Sequence, residues 1–276
     1  MAMKAVIQVR DAAFSYGGPP VFEHVDLDIF AGRICCLMGM NGCGKSTLID
    51  CMLGIHECSS GQVLIGGENV GRLKPAELAK QVAYVPQVHD RTFPYLVRDI
   101  VLMGRTAYQK GLSAPGEEDI ARCEEAMARC GISDLADRPY TMISGGEMQM
   151  VMLTRALVQD TPVIIMDEPT AHLDFRNEQI FLETVVNLVK NRSIGVVIAT
   201  HSPNQAFYFE KAGLDIQVAL MADASIRTLG KPSEVLNEKL LGEVYGMNVR
   251  IARIDLGEDG IINQVIPMGV GLREQR

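Results

Sequence analysis

Two hydrophobic textures alternate along the chain. The segment Ala5 to Phe14, and the alternation of Val25, Leu27 and Ile29 with Asp26 and Asp28, read as half-exposed antiparallel strands joined by the turn Gly17-Gly18-Pro19-Pro20. The second texture is a set of short unbroken apolar runs, Arg33 to Met38, Val82 to Val85, Val163 to Met166 and Ile194 to Ala199, as expected of strands buried on both faces of a parallel sheet. A helix is predicted over 45–53, directly after the first of these runs and the loop that follows it. The core is therefore expected to be α/β.

Between Gln87 and about Asp160 the period changes to that of a helix. Ile120, Cys123, Met127 and Cys130 recur at helical spacing, Glu117, Glu118 and Asp119 suit the positive end of that helix, and Gly131 suits its C-terminal cap. From Lys231 onward a short helix at Ser233 to Leu236 and closing strands at 249–254 and 261–266 read as a small appendage. The expected organisation is an α/β core with an antiparallel β subdomain at 1–87 and 161–230, a helical lobe at 88–160 and an appendage at 231–276. With 276 residues, one core carrying additions fits the length better than two independent domains.

Three groups of residues carry the candidate chemistry. Gly39-Met40-Asn41-Gly42-Cys43-Gly44-Lys45-Ser46 follows a strand and opens a helix. Glycines there let successive backbone N–H groups converge on phosphate oxygens, Lys45 reaches the β and γ phosphates, and Ser46 offers a hydroxyl to Mg²⁺. Asp167, at the tip of a buried strand, is placed to hold the water shell of Mg²⁺, and Glu168 to direct a water at the γ phosphate. Ser144-Gly145-Gly146-Glu147 opens another helix and leaves further backbone N–H groups bare. That second site either caps its helix or grips a nucleotide held by a neighbouring subunit.

With these motifs in place, the chain resembles the ATP-binding cassette (ABC) ATPases from about residue 5 to 245. The resemblance identifies Gly39 to Thr47 as the Walker A loop, Val163 to Asp167 as Walker B, and Ile143 to Glu147 as the signature motif. It likewise identifies Gln87 in Tyr84-Val85-Pro86-Gln87 as the Q-loop, Asp174 in Ala171-His172-Leu173-Asp174 as the D-loop, His201 as the switch histidine and Tyr16 as the platform for adenine. It implies a P-loop NTPase core of the ABC type, with Glu168, His201 and Gln87 catalytic. Tyr16, Gly39, Asn41, Gly42, Cys43, Gly44, Lys45, Ser46, Thr47, Ser144, Gly145, Gly146, Glu147 and Asp174 would bind ATP, and Ser46, Gln87 and Asp167 would serve Mg²⁺. Each nucleotide would lie between the Lys45 loop of one copy and the Ser144-Gly145-Gly146 segment of a second, in a head-to-tail dimer. The chain departs from the family at Met40 for Pro, Ile143 for Leu, Glu147 for Gln, Met148 and Met150 for Arg, and Ser202-Pro203 after the switch histidine, where Asp is usual.

Charge and cysteine content narrow the partners. A net charge of −8 argues against a broad footprint on nucleic acid. Seven Cys without a C-x-x-C pair favour free thiols over disulfides or zinc, with Cys43 notable because a reactive thiol in the phosphate loop would make the ATPase sensitive to oxidants. No apolar run reaches the length of a spanning helix and the N-terminus carries no secretory pattern, so the expected place is the cytoplasmic face of a membrane. The run Phe93 to Arg105 and the closing Gly242-Glu243-Val244-Tyr245-Gly246 are similar to the subgroup that serves importers of iron chelates, haem, cobalamin and some oxyanions. That likeness implies an integral membrane permease as partner and, indirectly, an extracytoplasmic substrate-binding protein. An exporter, another importer class and a non-transport ABC ATPase are the competing readings.

Overall fold

Strand β1 (Ala5–Phe14) runs antiparallel to β2 (Phe22–Phe30), and the apolar side of the pair is buried at Ile7, Val9, Val25, Leu27 and Ile29. A bulge, with Asp11 at φ 43° and His24 at φ 51°, shifts the register midway. The computed structural model describes residues 5–87, 93–109 and 114–270; the ends of the chain and the opening residues 88–92 of the expected lobe lie outside the described residues. The chain continues through β3 (Ile34–Met38), α1 (Lys45–Met52), β4 (Ser60–Ile65), β5 (Glu68–Asn69), α2 (Pro75–Leu78) and β6 (Val82–Val85). The lobe comprises α3 (Val97–Leu102), α4 (Glu117–Arg129) and α5 (Gly145–Val158). Then come β7 (Val163–Asp167), α6 (Phe175–Arg192), β8 (Gly195–Thr200), α7 (Pro203–Lys211), β9 (Ile216–Ala222) and β10 (Ser225–Gly230). The chain closes with α8 (Pro232–Val235), α9 (Glu238–Tyr245) and the hairpin β11 (Asn248–Asp255) and β12 (Ile261–Gly269).

One sheet, in the order β2-β1-β4-β5, is antiparallel; the other runs β10-β9-β3-β8-β7-β6 and is parallel except at β10. Both faces of the parallel sheet are covered, which explains its unbroken apolar runs. Ile34, Cys36 and Met38 of β3 and Ile164 and Met166 of β7 enter one buried cluster, while Cys35, Leu37, Val163 and Ile165 enter the cluster on the opposite face. Register pairs Met38 with Thr200, Asp167 with Ala199 and Val85 with Met166, so the C-terminal tips of β3, β8, β7 and β6 end level along one edge. The segments bearing Gly39, His201, Glu168 and Gln87 all leave the sheet there.

Three details differ from expectation. Ile120 is 45% exposed, because in the first turn of α4 the inward position belongs to Asp119, whose carboxylate accepts from the buried Arg105 Nε at 2.8 Å. Helices α2, α6, α7 and α9 and strands β4, β5, β9 and β10 are additions to the elements read from the sequence. The C-terminal segment does not pack by itself: Leu236, Leu241, Val244, Val249 and Val265 join the main buried cluster, and the Asn204 side chain of α7 bonds the main chain of Val265 on both its N–H and its C=O.

Candidate functional site

The loop after β3 is shaped by close approach. A Cβ on Gly39, at φ 146°, would stand 2.4 Å from the Met221 carbonyl oxygen, and one on Gly44, at φ 99°, 3.1 Å from the Val21 side chain. Gly44 caps α1 without a side-chain hydrogen bond, which leaves the first-turn N–H groups of that helix facing the cleft. Lys45 is 5% exposed, and its Nζ donates to the carbonyls of Gly39 at 3.0 Å and Met40 at 3.2 Å. A cationic group and a set of bare amides thus converge in one loop.

Two carboxylates face that loop. Asp167 ends β7 and is buried, with Oδ1 lacking a partner among the described residues and the Ser46 side chain beside the carboxylate. Burial pushes its titration above the usual carboxylate range. An orphaned buried oxygen beside a serine hydroxyl fits a hydrated divalent cation shared with phosphate oxygens, and no all-protein cage of His, Cys, Asp and Glu occurs among the described residues. Glu168, the next residue, is held at φ 42°, a left-handed conformation that costs a non-glycine residue about 1 to 3 kcal/mol and that neighbouring bonds must enforce. Its N–H donates to Ala199 O at 3.0 Å, and its own carbonyl accepts from Ala171 N at 3.1 Å. So fixed, its carboxylate lies 3.7 Å from Lys45 Nζ, 3.3 Å from Gln87 Nε2 and 3.6 Å from His201 Nδ1.

These groups border an open cleft of ≈ 480 Å³ lined by Tyr16, Val21, Asn41, Gly42, Gly44, Lys45, Ser46, Thr47, Gln87 and Glu168. Tyr16 is 67% exposed, yet braced: its ring meets Phe14 edge-on at 4.8 Å and its hydroxyl lies 3.3 Å from His56 Nε2. That leaves a free aromatic face at the cleft rim. Cys43 does not line the cleft. Its sulfur lies beneath the loop against Gly39, and burial holds the thiol above its ordinary value despite Lys45 nearby, which counts against the reactive thiol envisaged from the sequence.

The remaining predicted residues stand apart from the cleft. Ser144 caps α5, its hydroxyl accepting from Glu147 N at 3.2 Å while its own N–H donates to Glu147 Oε2 at 2.7 Å. Around Gly145 a Cβ would meet nothing within 4 Å, whereas one on Gly146 would strike the Asn177 side chain at 2.6 Å. Asp174 caps α6, accepting from Asn177 N and Nδ2 at 2.8 Å each. One chain therefore assembles the phosphate loop, Gln87, Glu168, His201 and Tyr16, but not the Ser144 to Glu147 segment or Asp174. Two contributors escaped sequence reading. His56 is a lone histidine whose bracing of Tyr16 has no local signal. Gln205 is a polar residue buried in α7, and a polar side chain on a helix's apolar face was the available clue.

The family model for ABC transporters matches residues 22–171. An uncharacterized ABC transporter ATP-binding protein of Haemophilus influenzae is 38% identical over 203 residues, covering 74% of this chain and 77% of that one. The hemin import ATP-binding protein HmuV of Streptomyces coelicolor is 36% identical over 235 residues, 85% of this chain and 81% of the relative. Among solved structures, an inward-facing ABC transporter of the metal-chelate type superposes with a TM-score of 0.84 at 27% identity, over 96% of this chain and 98% of that chain.

Proposed function

The chain belongs to the ATP-binding proteins of ABC transporters, and from that premise we propose that it hydrolyses ATP, as a dimer on the cytoplasmic face of a membrane, to drive import of an iron chelate through a separate permease. The observation carrying the hydrolytic reading is the convergence of Lys45, Gln87 and His201 on Glu168, all within 3.3 to 3.7 Å. Tyr16 offers its free face to adenine, and the amides from Gly42 to Thr47 cradle the phosphates. Lys45, now turned back on carbonyls of its own loop, exchanges them for phosphate oxygens. Ser46 and Asp167 would hold the cation, which would offset charge on the phosphate oxygens. Glu168 takes the proton of the attacking water, Gln87 orients that water, and His201 senses the γ phosphate.

A second copy completes the site. Gly145 and Gly146 offer bare amides next to the capping Ser144, but this segment does not line the cleft of its own chain, so the dimer places it on the nucleotide of the partner. No helix among the described residues is long and apolar enough to cross a membrane, and the exposed Phe93, Tyr95 and Met103 of the lobe offer an apolar surface to a permease. The import class rests on the Phe93 to Arg105 run and on relatives named for hemin import.

Replacing Glu168 by Gln tests the mechanism. Hydrolysis should fall by about 10² to 10⁴, the contribution of a positioned base, with nucleotide affinity retained and ATP-bound dimers accumulating. Hydrolysis at the parent rate would remove Glu168 from its role. For the substrate class, deletion of the gene should abolish uptake of labelled iron chelate; loss of molybdate uptake instead would move the protein to an oxyanion importer.

A further inference from the structure

Hydrolysis of the proposed kind needs Glu168 and His201 in fixed relation; the strands before them are paired and the Glu168 N–H donates to Ala199 O at 3.0 Å, but the turns that carry the two side chains leave the sheet beyond that bond, and the side chains themselves meet at 3.6 Å. We infer that Gln205 is a positioning residue that ties the segment after Glu168 to the segment before His201 through the side chains of Thr170 and Thr200. Gln205 is 5% exposed, near the start of α7. Its Oε1 accepts from Thr200 Oγ1 at 2.8 Å, and its Nε2 donates to Thr170 Oγ1 at 2.8 Å and to Glu178 Oε1 at 2.7 Å.

Each bond ends on a segment that sets the site. Thr200 immediately precedes His201, and its Oγ1 also accepts from Ser202 N at 3.1 Å, so the histidine is flanked by restrained residues on both sides. Thr170 lies two residues after Glu168, and its carbonyl accepts from Leu173 N at 3.1 Å in the turn that leads to Asp174. Glu178 belongs to the first turn of α6, which Asp174 caps. One primary amide thus uses its oxygen and both of its N–H groups to join the base segment, the switch segment and the start of α6. Few side chains can do this. Leucine has the shape without any of the bonds, and glutamate would set a second carboxylate against Glu178.

The inference rests on the proposed roles of Glu168 and His201, and it predicts that Gln205 acts through them rather than on ATP binding. The test compares Gln205→Leu and Thr170→Val, each in the parent and in a His201→Ala background, by Mg-ATPase kinetics, equilibrium nucleotide binding and thermal unfolding. Because a misplacement of about 1 Å can cost about a hundredfold, Q205L should lower kcat by about ten- to a hundredfold with KM for ATP changed less than about threefold. In the H201A background the further loss should shrink to less than about threefold, since effects of groups acting as a unit do not multiply. T170V, which keeps the side-chain shape and Gln205 itself, should show a smaller fall with the same dependence on His201 and so carries the test if Q205L does not fold. An unchanged kcat in Q205L or in T170V, or an equal factor in both backgrounds, overturns the inference. H201A turning over at the parent rate overturns the hydrolytic reading itself and the inference with it.

Discussion

Alanine at the two adjacent glycines of the α5 start should separate a glycine kept for packing from one kept for binding. At Gly146 the new Cβ would sit 2.6 Å from Asn177 Cγ and 2.7 Å from its Nδ2, about 1 Å inside the ordinary separation of non-bonded carbons. Asn177 has little freedom to retreat, because its N–H and Nδ2 both bond the Asp174 carboxylate at 2.8 Å. Overpacking of this kind costs about 1 to 3 kcal/mol, of which the better helix propensity of alanine returns at most about 1 kcal/mol. With that return in full, the net loss is up to about 2 kcal/mol and lowers Tm by up to about 8 °C in a chain of this size. Gly145→Ala meets nothing within 4 Å, so Tm should hold or rise slightly, while in the proposed dimer the methyl group would cover amides that face the phosphate held by the second copy, and ATPase should fall by about a hundredfold. Calorimetry and steady-state ATPase on both variants decide the matter, with Asn177→Ala added to G146A as relief. A G146A protein as stable as the parent, or a G145A protein with parental turnover, would refute this division of labour.

Two further outcomes follow from the same geometry. Tyr16→Ala should raise KM for ATP by up to about tenfold with kcat nearly unchanged, since stacking on an aromatic face contributes about 0.5 to 1.5 kcal/mol to binding; a fall in kcat alone would place Tyr16 elsewhere in the cycle. The Ser144 N–H bond to Glu147 holds that carboxyl below its ordinary value of 4.5. The stabilisation it brings is therefore complete above pH 4.5 and disappears as pH falls through the depressed folded value. Urea unfolding from pH 3 to 7 should show Glu147→Gln losing that part of the acid dependence, by a small amount because the pair is solvent-exposed.

The parallel sheet and its edge were readable because burial on both faces leaves an unmistakable run of apolar residues, and because the loop after β3 needs glycines where backbone approaches backbone. Helix α6 is equally legible in principle: Asp174 stands at its cap, and Phe181, Leu182, Val185 and Val189 are buried along one stripe. Ile120 misled because spacing alone cannot tell which member of an apolar stripe lies at the end of its contact, where an ion pair had taken the inward position. The links of Gln205 to Thr170 and Glu178, and of Asn204 to Val265, were not readable at all. They join residues 27 to 61 positions apart and depend on the packed fold.

Asn204 and Gln205 are consecutive, three and four residues beyond His201, and they reach opposite ways: one grasps the closing hairpin at Val265, the other the hydrolytic centre. The first turn of α7 is consequently a shared anchor, with the tail of the chain made fast on one side and the segment before His201 on the other.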